Sequence, residues 1–306
     1  MDGKIYDIVS SPLTLVSDDD LLEIAKLVEL NFRRYQNKNR CRRSLYHQIA
    51  LYRKTIRLSN EGLQYFEIGR ILGIRSSTVY SWLWGHSPWT IYKLPLTNFG
   101  FGYIIGSGIG DGTVIDDGRI LIYSWLKDED FADIIVQYTK QLNINAHKWY
   151  KRGWQVAIAN VPIAELVWIG KKYPFHLLPI ISSEVSVIKG VLNGWFDADG
   201  SPGSFSLKCK YDAPHADSLN REIVEVMGVL LDLLGIHYTI NRQKTKEFIS
   251  PQTGKKYKPK SEEIYRLRIR RCCTVKFSRE VGFKIRRKKY ALDKLIDNTK
   301  FKNICQ

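Results

Sequence analysis

A chain of 306 residues that is 44% hydrophobic has room for two domains, or for a duplicated one with an extension, and is too apolar for wholesale disorder. Its net charge of +16 points to a polyanionic partner, nucleic acid first, because neutralising phosphates releases counterions. No apolar run approaches the ~18 residues of a membrane-spanning helix, and MDGKIYDIVSS at the N-terminus has the shape of neither a signal nor a transit peptide, so a cytoplasmic, nucleoid-associated or organellar setting is expected.

Ser17 precedes three aspartates and then Leu21, Ile24, Ala25 and Val28 at helical spacing. A capping hydroxyl, acids in the first turn and that period predict an amphipathic helix over 18–35. A second, basic and aromatic helix is expected over 42–58, with Arg42, Arg43 and Lys54. Residues 62–85, GLQYFEIGRILGIRSSTVYSWLWG, read as two short helices around a turn at Gly73. Phe66, Ile68, Ile71 and Leu72 lie on the first; Ser76 or Ser77 caps the second, where Val79 and Leu83 face inward. The pattern is similar to a helix-turn-helix, which would show Ser77, Tyr80, Ser81 and Trp84 to a DNA groove. An all-α domain over 1–95 is therefore expected, adding DNA contacts outside the main body. HSPWTIYKLPL at 86–96 reads as a linker because of its two prolines.

Beyond it a motif occurs twice. YIIGSGIGDG (103–112) and VLNGWFDADG (191–200) each hold a glycine, four residues, then Asp-Gly, at a constant offset (199 − 111 = 88 and 194 − 106 = 88). The same order of elements follows each copy. After Gly112 come a strand at 119–124, a helix at 128–142, strands at 146–152 and 154–159, and a helix from Pro162. After Gly200 come a strand at 204–209, a helix at 217–234, strands near 237–244 and 263–270, and a helix from Thr274; a fourth strand is expected in each half, at 113–118 and 200–204. This is an α+β chain of two pseudo-symmetric αββαββα halves, 96–182 and 183–306, whose antiparallel sheets surround two central motif helices.

Gly106 and Gly110 share a helix face, as do Gly194 and Ala198, so small residues let the two motif helices pack with their backbones close. Asp111 and Asp199 then emerge together at the same end. Like charge and the negative end of each helix dipole raise both pKa values, and a divalent cation relieves the conflict. Oxygen donors beside phosphates suit Mg²⁺, with Mn²⁺ able to substitute, and such a centre hydrolyses phosphodiesters with activated water.

The stretches IIGSGIGDG (104–112) and LNGWFDADG (192–200) resemble the LAGLIDADG motif of homing endonucleases. The resemblance covers about residues 97–290; the first copy departs from it at Ser107-Gly108-Ile109. It implies a single-chain, two-motif, monomeric enzyme that cuts both strands of a double-stranded DNA site across the minor groove, leaving short 3′ overhangs. It assigns the metal to Asp111 and Asp199, with Gly110 and Ala198 beside them, and leaves Asp197 a structural role. It also implies a basic residue near each scissile phosphate, for which Lys127, Lys208 and Lys210 are the candidates. Two related readings share the fold: an RNA maturase with intron RNA as partner, and a DNA-binding regulator that does not cut. A Met-Asp start and Cys-Gln end speak against an intein.

Strand alternation independently supplies a basic surface. In 263–270, Tyr265, Leu267 and Ile269 point one way and Arg266, Arg268 and Arg270 the other; in 204–210, Phe205, Leu207 and Cys209 face in while Ser206, Lys208 and Lys210 face out. In the first half, Lys148, Tyr150, Arg152 and Gln155 are the expected contacts, and Arg242 and Lys244 join the second-half set. The unequal sets imply a non-palindromic site. KTKEFISPQTGKKYKPKSEE (244–263) reads as a basic arm that orders on DNA, and FKIRRKKY (283–290) as further phosphate contacts or a solvated end. Cys41, Cys209, Cys272, Cys273 and Cys305 are odd in number without a C-x-x-C pair, so reduced thiols rather than zinc ligands or disulfides are expected. The histidines at 47, 86, 147, 176, 215 and 237 show no ligand spacing, and no glycine-rich phosphate loop is present.

Overall fold

The structure is a computed structural model that describes residues 16–37, 43–86, 98–204, 213–245, 248–249, 256–257 and 261–298. The linker expected at 86–96, apart from His86, and the strand expected at 204–209, apart from its first residue, lie outside these residues, with Ser206, Lys208 and Lys210.

Ser17 caps α1 (Asp18–Asn31) by accepting from Asp20 N, and Leu21, Ile24, Ala25 and Val28 are its buried face. The helix stops at Phe32, which is extended, and a single turn α2 (Arg33–Gln36) follows, so the expected run to residue 35 is broken. Phe32 leaves the helix because its ring packs on Trp168 (centroids 4.9 Å apart). α3 (Leu45–Asn60) starts at the Ser44 cap, and α4 (Tyr65–Leu72) ends at Gly73, whose φ of 62° is the left-handed stop of such a turn. In α5 (Ser76–Leu83) the capping position falls on Arg75 rather than a serine, and the inward residues are Val79 and Trp82, not Val79 and Leu83. Trp82 meets Tyr52 of α3 edge to face, with centroids 5.8 Å apart.

The first half runs α6 (Phe99–Asp111), β1 (Gly112–Ile115), β2 (Ile120–Leu126), α7 (Glu129–Gln141), β3 (Ala146–Tyr150), β4 (Trp154–Ala159) and α8 (Val161–Lys172). A short helix α9 (Pro174–Ile181) leads to the second half: α10 (Val185–Asp199), β5 (Gly200–Ser201), β6 (His215–Ser218), α11 (Arg221–Leu233), β7 (Tyr238–Lys244), the short pair β8 (Phe248–Ile249) and β9 (Lys256–Tyr257), β10 (Glu263–Ile269), α12 (Thr274–Glu280) and α13 (Arg286–Asn298). Both four-stranded sheets are antiparallel, ordered β1-β2-β4-β3 and β5-β6-β10-β7, so each half is the expected αββαββα unit with the same strand order. One boundary moves. The segment from 217 does not open as helix: His215–Ser218 is a strand paired to β10, and α11 starts after Asn220, whose side chain accepts from Glu222 N.

α6 and α10 lie against each other at the centre. A Cβ added to Gly102 would sit 2.4 Å from Val187 O, one on Gly106 1.9 Å from Val191 O, and one on Gly110 2.4 Å from Ala198 Cβ. The reciprocal stripe is Gly190 against Phe99 O and Gly194 against Tyr103 O, each at 2.2 Å. Small residues four apart on both helices thus put backbone on backbone. Around them one continuous core holds Tyr103, Tyr123, Phe131, Trp195, Phe196 and Phe277.

The N-terminal helices are part of this body. Tyr46 Oη donates to Pro162 O (2.6 Å), Arg34 pairs with the fully buried Glu165, and the Asp117 carboxylate in the β1–β2 turn accepts from Arg33 N (3.0 Å) and Arg34 N (2.7 Å). Among the described residues no helix is long and apolar enough to cross a membrane, and Cys272 and Cys273 are not in a disulfide.

Candidate metal and nucleic-acid site

Asp111 and Asp199 are the last residues of α6 and α10, and Gly112 and Gly200 begin the edge strands of the two sheets. The close packing brings these ends together: a Cβ on Gly110 would meet Asp199 Oδ2 at 3.1 Å. Both aspartates reach solvent, yet they are crowded by the atoms of the helix ends. That burial raises the Asp199 pKa to about 7, with the charge of Asp111 adding to it and Lys171 and Lys288 opposing it. Burial raises Asp111 too, against the pull of Lys288 and Lys171. Two carboxylates that resist joint ionisation form a hard oxygen site suited to Mg²⁺ or Mn²⁺ completed by phosphate and water. The residues present fit such an ion. Among the described residues no group of three or more His, Cys, Asp or Glu side chains is placed to hold a metal ion.

Asp197 has another task. It is 1% exposed and accepts from Tyr103 Oη (2.8 Å), from Lys284 N on Oδ1 (3.1 Å) and Oδ2 (3.0 Å), and from Ile285 N (3.3 Å). Its pKa is nonetheless raised to about 6, because burial outweighs those bonds. The carboxylate pins the chain just before α13, and α13 delivers Lys288, whose ammonium donates to Phe196 O (3.2 Å), Asp197 O (2.6 Å) and Ala198 O (3.3 Å). Lys171, at the end of α8, donates to Gly110 O (3.2 Å). Each motif helix therefore ends under an ammonium, and the Gly110 and Ala198 carbonyls expected beside a metal each keep one further lone pair. Burial lowers both lysine pKa values, and the two aspartates pull them back up. The segment 283–290 is thus a tertiary joint and not a solvated end: Arg286 N and the Arg287 guanidinium bond Asp130 (2.7 Å) and Asp128 (2.9 Å) of the first half.

No motif marks Lys171 or Lys288, and sequence reasoning missed them. Of the basic candidates named instead, Lys127 is exposed in the β2–α7 loop.

Among the described residues, each sheet has one face covered by helices and one open face that no helix covers, on which His215 and Gln155 are nonetheless buried. On the second sheet Arg266 and Arg268 lie opposite Asn241 and Thr239 of β7, and opposite Asp217 and His215 of β6, all on the open face; Leu267 and Ile269 are buried on the other. Arg266 is held there by two bonds to Asp217 (2.7 and 2.8 Å), and Arg270 is exposed just past the strand. Asp217 also raises the Asp199 pKa, so the carboxylate pair borders this face. Arg242 and Lys244 do not belong with these arginines. Their partners across β10 are Tyr265 and Glu263, which places both on the helix side of the sheet, and Arg242 pairs with Glu263. The open-face residues of β7 are Thr239, Asn241 and Gln243.

The first sheet corrects two further expectations. Lys148 stands opposite the buried Val156, on the helix side, where it bridges Glu129 (3.1 Å) and Asp133 of α7 and lies over the Trp154 ring. Tyr150 shares that side and packs on Trp154 (centroids 5.2 Å apart). The open face carries His147 and Trp149, stacked 5.3 Å apart, together with Gln155, which is 9% exposed and donates to Lys151 O (3.1 Å). Arg152 is exposed in the β3–β4 turn at φ 61°. On α5, Ser77, Tyr80 and Trp84 are exposed and Ser81 is half-buried.

Residues 186–282 match the LAGLIDADG-like domain family. Over 82 residues the chain is 35% identical to the ATP-dependent DNA helicase Hel308 of Methanocaldococcus jannaschii, covering 26% of this chain and 7% of the helicase. The homing endonuclease I-DmoI, solved in complex with DNA and Ca, is similar at 14% identity and a TM-score of 0.42, over 64% of this chain and 97% of that one. Full-length DUF199/WhiA from Thermatoga maritima is similar at 12% identity and a TM-score of 0.42, over 67% of this chain and 62% of that one. The chain therefore carries a LAGLIDADG-like domain at residues 186–282, joined to a first half with the same order of elements.

Proposed function

We propose that this protein is a site-specific DNA endonuclease that makes a divalent-metal-dependent double-strand break as a monomer. The observation that carries the reading is the convergence of Asp111 and Asp199 at the touching ends of two backbone-packed helices, bordering an open face that carries Arg266 and Arg268. A bound Mg²⁺ or Mn²⁺ supplies activated water and stabilises the charge that develops on the leaving oxygen. Asp111 and Asp199, one carboxylate from each half, would hold the ion. Arg266, Arg268 and Arg270, with Thr239, Asn241 and Gln243, take one half of a long double-stranded site; His147, Trp149 and Arg152 take the other. Phosphate contacts set position and base-edge contacts set sequence. Because the described residues of the two open faces form different sets, the reading expects a non-palindromic target. Lys127 is the described candidate for a basic group at a scissile phosphate, and the exposed α5 face (Ser77, Tyr80) for a contact outside the cleavage core.

The test is cleavage of a randomised duplex library with Mg²⁺, with sequenced ends, for wild type, Asp111→Asn and Asp199→Asn. The reading expects one recurrent double-strand break, lost in EDTA and lost or reduced to nicking in either variant. Tight, salt-sensitive binding with no break in any member would overturn it in favour of a non-cutting DNA binder.

A further inference from the structure

The two ammonium groups at the motif-helix ends are not copies of each other. Lys171 closes α8, the first helix after β4, and Lys288 lies in α13, the second helix after β10, yet they reach matching carbonyls, Gly110 O and Ala198 O. Lys288 is 7% exposed, and its three protons are matched by three carbonyls of α10. A group held that way is not available to a phosphate. It is instead a fixed positive charge within range of Asp111, Asp197 and Asp199. Lys171 likewise interacts with both Asp111 and Asp199.

We propose that Lys171 and Lys288 are resident counter-cations: positioning residues that hold the paired carboxylates together in the unloaded site and oppose entry of the divalent cation, setting its affinity. The inference rests on the reading of Asp111 and Asp199 as metal-binding. The physical argument is one of charge balance. Without a cation, two like charges at two helix C-termini repel each other and the dipole ends, and an ammonium on each helix offsets both. With a divalent ion between the carboxylates, the same ammoniums are like charges at short range behind little screening water. Removing one lysine therefore acts in opposite directions on the two states. The unloaded protein loses stability, and the ion binds more tightly because repulsion is relieved and a carbonyl lone pair is freed.

The experiment is Mn²⁺ binding to the full chain without DNA, read from the electron paramagnetic resonance of free Mn²⁺ at pH 8.5, above the Asp199 pKa of about 7, beside the melting temperature in EDTA at the same pH. The variants are Lys171→Met, Lys288→Met, Lys288→Arg and Asp199→Asn. The expected result is at least ten-fold tighter Mn²⁺ binding with a lower EDTA melting temperature in each Lys→Met variant, and affinity close to wild type in Lys288→Arg. Should Lys288→Met not fold, Lys171→Met carries the test alone. Unchanged or weaker affinity in the Lys→Met variants overturns the inference while leaving the metal site standing. No binding by wild type, or equal binding by Asp199→Asn, overturns the inference, which concerns the site without DNA, and the cleavage assay with Asp111→Asn and Asp199→Asn then decides the metal-site reading separately.

Discussion

Replacing Arg34 by Met tests whether the N-terminal helices are structurally inseparable from the first half. Glu165 of α8 is wholly buried, its Oε1 shared by the Arg34 guanidinium and Tyr35 Oη (2.8 Å), while Oε2 has no hydrogen-bond partner among the described residues. Arg34 is itself 12% exposed and packs over the Phe32 ring (5.1 Å to the centroid). At an effective dielectric near 20, a contact pair is worth about 4 kcal/mol. Removing one partner of a buried pair costs ~3–5 kcal/mol, because the remaining carboxylate must be hydrated by local opening or protonated. With about 2.1 cal/mol/K of unfolding entropy per residue over 306 residues, that loss lowers the melting temperature by about 5–8 °C. The double variant Arg34→Met/Glu165→Met, which removes both charges and keeps the volume, is expected to recover most of it. Differential scanning calorimetry of wild type, the two single variants and the double variant gives the coupling directly. A loss under about 1 kcal/mol in Arg34→Met, or additive losses in the double variant, would refute the reasoning by showing that water already reaches the pair. The same junction makes deletion of residues 1–95 a poor probe of DNA contact, since it strands Glu165 and uncovers Trp168; surface substitutions at Ser77 and Tyr80 are the cleaner test.

Gly106→Ala should separate the motif helices, since its Cβ would lie 1.9 Å from Val191 O; a loss of about 1–3 kcal/mol or more in urea unfolding is expected, and a neutral result would mean the helices are not in backbone contact. Asp197 and Asp199, at about 6 and about 7, bind protons more strongly folded than unfolded, so ∂ΔG/∂pH is negative and the metal-free protein should lose stability as pH rises from about 4 through about 7. Thermal melts at pH 5 and 8 check this, and millimolar Mg²⁺ should narrow the difference; a higher melting temperature at pH 8 in EDTA would contradict it. Lys148→Ala should leave DNA affinity unchanged while Trp149→Ala and Arg268→Ala weaken it, with the salt slope reduced only by the arginine; fluorescence anisotropy across salt concentrations decides it, and a large Lys148 effect would invert the assignment of sheet faces.

The repeated Asp-Gly, the small-residue stripe and the order of elements were legible because each is local or periodic. Sheet faces were legible only where one parity was purely apolar, as with Leu267 and Ile269 against Arg266 and Arg268. In HKWY (147–150) both parities carry large polar-tipped side chains, and the choice is made by Val156 across the ladder and by Glu129 and Asp133 of α7, none of them adjacent in sequence. Arg242 and Lys244 failed for the same reason: a basic strand does not say which of its faces the helices cover. Lys171 and Lys288 were invisible because a helix-end cap contributed by another helix has no fixed spacing. The strand at 215–218 was hidden by the apolar period that begins a few residues later, although Asn220 marks the true start of α11.

α13 belongs in sequence to the second half, but its Arg286 and Arg287 are tied to the first, and its Lys288 closes the second motif helix. A duplicated fold can in principle be divided, each half pairing with a copy of itself. Here α13 works against division by tying the two halves together. A first half alone would expose Asp128 and Asp130, and two second halves would offer their arginines to a surface without those acids. Chimaeras that exchange halves of this scaffold would have to carry α13 and the 128–130 loop together as one unit.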